Sequence, residues 1–186
     1  EVQIIDIGTA RVATQPSRYD VIVTLNLYGD IISDVTAELT GSVGMAGSAN
    51  IGDRISMFEA IHGSAPDIAG QGIANPSAML NAVCMMLVHL GLPGKAETIQ
   101  NAWLKTLEDG IHPGDIFQEG LSAKRAGTIE FADAVIERLG QKPSQLKSVE
   151  MRGGAVPKFH YERPVVKREL CGVDMFVCDA TSTPDE

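Results

Sequence analysis

The chain has 186 residues, with 15 Lys and Arg against 24 Asp and Glu, a formal charge of −9, and 44% apolar, 21% charged and 5% aromatic residues. This composition excludes wholesale disorder, and without a G-X-Y or heptad repeat the chain is neither collagen-like nor a coiled coil. The acidic balance argues against nucleic acid as a partner, and the longest apolar stretch, Ala82 to Leu92, is too short to span a membrane.

In chain order, Thr9 to Ala13 reads as a short helix stopped before Pro16. Tyr19 to Leu27 is β-branched and almost continuously apolar, which predicts a strand buried on both faces of a parallel sheet. Ile31 to Leu39 reads as a helix, and the glycine- and serine-rich stretch from Gly41 to Asp53 as loop. Arg54 to Phe58 is a second strand. Glu59 to Pro76 is a long polar loop of the kind that often carries function.

Ser77 to Leu92 has apolar residues nearly all round, which predicts a buried helix with Met79, Met85 and Met86 filling core gaps, Cys84 buried and inert, and His89 a core or edge residue. Two amphipathic helices follow, Ala96 to Asp109 and Glu130 to Leu139, stopped by Gly110 and Gly140. Gln141 to Arg168 is rich in Pro and Gly and reads as a linker, and Leu170 to Val177 as a strand. Three cysteines, Cys84, Cys171 and Cys178, without metal spacing point to reduced thiols and an intracellular protein. The first residues hold no start Met and no targeting pattern, and the chain reads as a fragment.

Three segments carry candidate chemistry. In Asn26-Leu-Tyr-Gly-Asp-Ile-Ile-Ser-Asp34, Asp30 and Asp34 are four residues apart and share one helical face. Like charges at that spacing repel, and a divalent cation such as Mg²⁺ or Mn²⁺ would reverse the sign. The alternative is that Asp30 caps a helix and Asp34 is a solvated charge. From Glu59 to Pro76, small residues and exposed N–H groups can cradle a phosphate or ribose, and Asp67 can accept from a ribose diol while repelling a 2′-phosphate. The alternative is a surface turn in which His62 caps a neighbouring carbonyl. Gly41 to Gly52 is a flexible loop able to close over a ligand, or a plain connector.

Together these motifs, with Gly47-Ser-Ala-Asn-Ile-Gly52, Phe58-Glu-Ala-Ile-His-Gly-Ser-Ala-Pro-Asp-Ile-Ala-Gly70 and Ile73-Ala-Asn-Pro76, resemble the metal-dependent β-decarboxylating dehydrogenases, the isocitrate and isopropylmalate dehydrogenase family. The resemblance runs from Val2 to about Gly140. It implies an α/β fold in two domains that is not a true Rossmann fold. Residues 1–40 would belong to a small dimer-forming domain and 41–140 to a large cofactor-binding domain, followed by a linker over 141–169 and the start of a further domain over 170–186.

The resemblance also implies site residues. Asp30 and Asp34 fall on two metal carboxylates, and Asp6 on a third that reaches the partner subunit's site, so a homodimer with shared active sites is expected. His62, Gly63, Ala65, Asp67, Ile68 and Asn75 fall on the adenosine-binding loop. Family members that use NAD carry Asp and Ile where this chain has Asp67 and Ile68, those that use NADP carry Lys and Tyr, and no Tyr–Arg pair stands between Asp115 and Gln118. The cofactor expected is therefore NAD.

The implied reaction is oxidative decarboxylation of isocitrate, a 2-hydroxy tricarboxylate, to 2-oxoglutarate with NAD and Mg²⁺ or Mn²⁺. The expected location is the cytoplasm, or the mitochondrial matrix in a eukaryote. The family's substrate-binding Ser and Arg and its catalytic Tyr and Lys would lie upstream of Glu1, so no catalytic residue is assigned here and the chain alone is expected not to turn over. A 3-isopropylmalate or homoisocitrate dehydrogenase is the alternative within the family. A non-catalytic regulatory subunit or nucleotide-binding module is the alternative outside it.

Overall fold

Helix-period segments of the sequence become helices, and the short strands depend on what those helices pack against. The computed structural model describes residues 1–153, 165–167 and 169–173. In chain order the elements are α1 (Ile5–Thr14), α2 (Asn26–Leu39), β1 (Gly47–Ile51), β2 (Ser56–Ala60), α3 (Ser77–His89), α4 (Pro93–Glu108), β3 (Ile111–Pro113), β4 (Lys124–Ala126) and α5 (Thr128–Glu137). Among the described residues no helix is long and apolar enough to cross a membrane.

The main core lies between α4 and α5, where Ala102, Trp103, Ala126, Phe131 and Val135 are buried together. Phe131 is fully enclosed, and burying such a side chain contributes roughly 1.5–3 kcal/mol. The Trp103 indole N–H donates to the Ser77 hydroxyl at 2.9 Å, which ties the first turn of α3 to α4. A smaller apolar contact, with Val12, Ile32 and Ala37 buried, accompanies the packing of α1 on α2.

β1 and β2 form an antiparallel hairpin with Ser48 opposite Glu59 and Asn50 opposite Met57. Helix α3 lies on this hairpin. The approach is so close that a Cβ on Gly47 would stand 2.6 Å from the Ala82 backbone nitrogen, so only glycine fits there. β3 and β4 form a second, parallel pair.

Several expectations need correcting. Residues 20–25 form no strand; Val21 and Val23 are 80% and 92% exposed. An apolar run becomes a buried strand only where neighbours complete its ladder, and among the described residues no segment pairs with it. The stretch read as loop from Gly41 to Asp53 contains β1, which pairs with β2 and lies against α3. α3 is buried on one side only, and Met79 and Met85 are 52% and 42% exposed rather than filling the core. β3 and β4 have three residues each and carry no sequence pattern long enough to read. The strand expected over 170–177 lies partly outside the described residues, and 170–173 carry no regular structure.

Residues 141–153 lack helix and strand but are held to α4. Asn101, buried, donates to the Val149 carbonyl at 2.9 Å and accepts from the Val149 N–H at 2.9 Å. The Glu108 carboxylate accepts from the backbone N–H groups of Ser144, Gln145 and Leu146 and from the Ser144 hydroxyl. Those donors, the Leu146 N–H foremost, and the ammonium of Lys105 hold the Glu108 carboxyl down at about 2.

A depressed carboxyl stabilises the fold above its unfolded value and loses that contribution as pH falls through its folded one. Between about pH 5 and pH 2 the melting temperature is therefore expected to fall more steeply for the native protein than for Glu108→Gln. Parallel thermal melts across that range check it, and superimposable pH slopes would count against the anchor.

Candidate functional site

Helix α2 and the β1–β2 hairpin face each other across a polar cavity of about 290 Å³. From α2 come Asp30, Ser33 and Asp34, and from the hairpin Ser48, Asn50 and Glu59. Helix α2 starts at Asn26, with Leu25 as its cap, so Asp30 sits a full turn inside and does not cap the helix. The helical period then puts both carboxylates on one side. Neither forms an ion pair among the described residues. Across the cavity the Asn50 amide donates to the Glu59 carboxylate at 3.0 Å.

This donor set is made of hard oxygens and fits a divalent cation such as Mg²⁺ or Mn²⁺. Asp6 is elsewhere. It is exposed on α1, does not line the cavity, and its carboxylate accepts from the Ile7 N–H at 2.6 Å. Among the described residues no three carboxylate, imidazole or thiolate groups converge as a metal site.

A second cavity, of about 870 Å³, is walled by the loop between β2 and α3. Of the residues expected to bind adenosine, His62, Gly63, Ala65, Ile68 and Asn75 line it, and Asp67 does not. His62 lines both cavities and so joins them. Its Nδ1 lies 2.8 Å from the Gly63 carbonyl oxygen, the contact expected of a turn histidine. Ala65 has φ +41°, a left-handed conformation that is costly for a residue with a side chain. Strain of this kind clusters at ligand-binding loops.

The loop is braced from beneath. The Asn75 side chain is committed to structure: its Oδ1 accepts from the Ser77 N–H at 3.0 Å and its Nδ2 donates to Asp115 at 3.0 Å. Asp115 also accepts from the Ser42 hydroxyl. Thr128, at the start of α5, donates its N–H to the Gly72 carbonyl and its hydroxyl to the Ala74 carbonyl. Buried Cys84 takes no part; its thiol is pushed up to about 11 by burial.

Sequence reading placed Ser48 and Asn50 in a family motif and in a loop able to close over a ligand but gave neither a site role of its own, because their stretch read as loop. The alternation of polar with small residues was the available signal. It missed Asp115, Arg125 and Thr128, which lie far along the chain from the loop they meet and follow no local pattern, and it gave Ser42, within the Gly41–Gly52 loop, no bracing role.

The isocitrate/isopropylmalate dehydrogenase family model matches residues 1–135. The chain is 57% identical over 183 residues to an isocitrate dehydrogenase [NADP] of Rickettsia bellii, covering 95% of this chain and 38% of that protein. It is 64% identical over 147 residues to an isocitrate dehydrogenase [NADP] of Rickettsia conorii, covering 79% of this chain and 30% of that one. The chain thus spans 38% and 30% of the length of these two relatives. Among solved structures, isocitrate dehydrogenase from Methylococcus capsulatus matches with a TM-score of 0.70 and 45% identity, over 75% of this chain and 40% of that one. The α/β fold expected from the sequence is therefore that of solved isocitrate dehydrogenases, over part of their length.

The expectation of NAD is overturned, since these two relatives are named for NADP. It rested on the Asp67–Ile68 pair, on the missing Tyr–Arg pair between Asp115 and Gln118, and on the Asp67 carboxylate repelling a 2′-phosphate. That carboxylate does not line the cavity, so the repulsion it was assigned has no place in the wall.

Asp115 is the residue on which the braced loop depends. Asp115→Ala is expected to cost about 1–3 kcal/mol, because it leaves the Asn75 and Ser42 donors without their acceptor. Chemical denaturation of the two proteins measures the difference, and an unchanged midpoint would contradict the brace.

Proposed function

The chain belongs to the isocitrate/isopropylmalate dehydrogenase family, and from that footing we propose that it is the metal- and nucleotide-binding portion of an NADP-dependent enzyme that converts isocitrate to 2-oxoglutarate. The observation that carries this reading is the pair of adjoining cavities that share His62, one with two unpaired carboxylates and one walled by small residues. The NADP in the names of relatives at 57% and 64% identity supports the cofactor.

In this reading Asp30 and Asp34 hold a divalent cation. Asp6 of a second copy completes its ligands, which makes the active enzyme a homodimer with shared sites. The cation supplies Lewis acidity at the substrate's hydroxyl and carboxylate oxygens, and the nicotinamide supplies a hydride acceptor. The chain's own residues bind and orient. Ser48, Asn50 and Glu59 give the cation cavity a polar far wall, and the Asn50–Glu59 hydrogen bond fixes the direction of both side chains. The loop from His62 to Asn75 seats the adenosine half of the dinucleotide on backbone groups, because the Asn75 side chain is already engaged.

Calorimetric titration with Mn²⁺ tests the reading. The dimeric enzyme is expected to bind Mn²⁺ saturably, and Asp30→Asn to weaken it by at least about 10–100-fold, as loss of a direct ligand should exceed loss of an outer partner. Turnover should require isocitrate with NADP and fall with the metal affinity. Identical isotherms for the two proteins would remove the metal role of Asp30.

A further inference from the structure

One side chain in the nucleotide cavity is a cation that no carboxylate engages among the described residues. Arg125 on β4 lines the cavity and is the only Lys or Arg among the described residues that line it. The opposite position on β3 is His112. The Arg125 guanidinium forms no ion pair among the described residues.

Its position is set on two sides. The guanidinium carbon lies 5.9 Å from the centre of the Phe117 ring, a cation–π distance. On the other side it lies against the backbone of Gly114, where a Cβ would come within 2.9 Å of Nη2 and 3.2 Å of Nε. A side chain at position 114 would displace the guanidinium, so glycine there makes room for it. The acidic side chain that lines the cavity with it, Asp115, is occupied by Ser42 and Asn75.

A planar, pre-positioned guanidinium with no ion-pair partner among the described residues, at the wall of a cavity lined with small residues, is built to receive a phosphate through paired N–H donors. We propose that Arg125 is the anchor for the 2′-phosphate of NADP and sets the preference for NADP over NAD. The inference rests on the NADP reading above. It accounts for a chain that carries Asp67 and Ile68 and still resembles NADP enzymes: the discriminating charge comes from β4, across the cavity, and not from the loop.

The test uses the full-length dimeric enzyme, with Kd measured by calorimetry for NADP, NAD, 2′,5′-ADP and 5′-AMP. R125Q is expected to weaken NADP and 2′,5′-ADP by about 10–100-fold, the range for losing charge-assisted hydrogen bonds, and to leave NAD and 5′-AMP within about 2-fold. R125K keeps the charge and is expected to retain part of the preference, with melting temperatures of both variants checking that the fold is intact. Parallel loss of NADP and NAD, or no loss of either, overturns the assignment to Arg125 and leaves the NADP reading standing. A native enzyme that binds NAD more tightly than NADP overturns that reading itself, before any variant is compared.

Discussion

The candidate site depends on one carboxylate that binds no ligand in the proposed scheme. Asp115 accepts hydrogen bonds from Ser42 and Asn75, and Asn75 in turn accepts from the Ser77 N–H at the start of α3. Four points spread over 73 residues of sequence thereby meet under the loop that walls the larger cavity. An exposed loop rich in glycine has high conformational entropy, and such a loop holds a shape only where buried or charge-assisted bonds fix its ends. Thr128 fixes the same loop from the other side, through the Gly72 and Ala74 carbonyls.

The arrangement of charge follows from this framework. The molecule carries a net −9, yet its two candidate cavities differ in character. One gathers Asp30, Asp34 and Glu59, while the other presents Arg125 and an Asp115 already engaged by Ser42 and Asn75. Two carboxylates on one helical face cost stability when left unpaired, and an arginine without an ion-pair partner among the described residues gains no charge pairing from the fold. Costs and idle charges of this kind concentrate where a ligand supplies the missing partner. A cation on one side and a phosphate on the other would each complete an incomplete set, and His62 stands where the two cavities adjoin.

The helices were legible because the 3.6-residue period and the stop signals are local. α4 and α5 lie within a few residues of their expected bounds, and α2 differs only in starting earlier, at Asn26. The strands were less legible. β1 was hidden by glycines, since Gly47 serves the contact with α3 rather than a turn. The apolar run through Val21 and Val23 read as a buried strand, and burial is a property of neighbours rather than of a segment.

The sequence by itself determined the family resemblance, the helical spacing of Asp30 and Asp34, and the small-residue loop from His62 to Asn75, because each is written in contiguous residues. Only the tertiary structure decided which charged groups reach the larger cavity. Asp67 belongs to the loop and yet does not line it, while Arg125 arrives from a strand more than fifty positions away. The physical reason is that electrostatic discrimination depends on distance in space. The parallel pairing of β3 with β4, and the room left beside Gly114, set that distance where no local pattern records it.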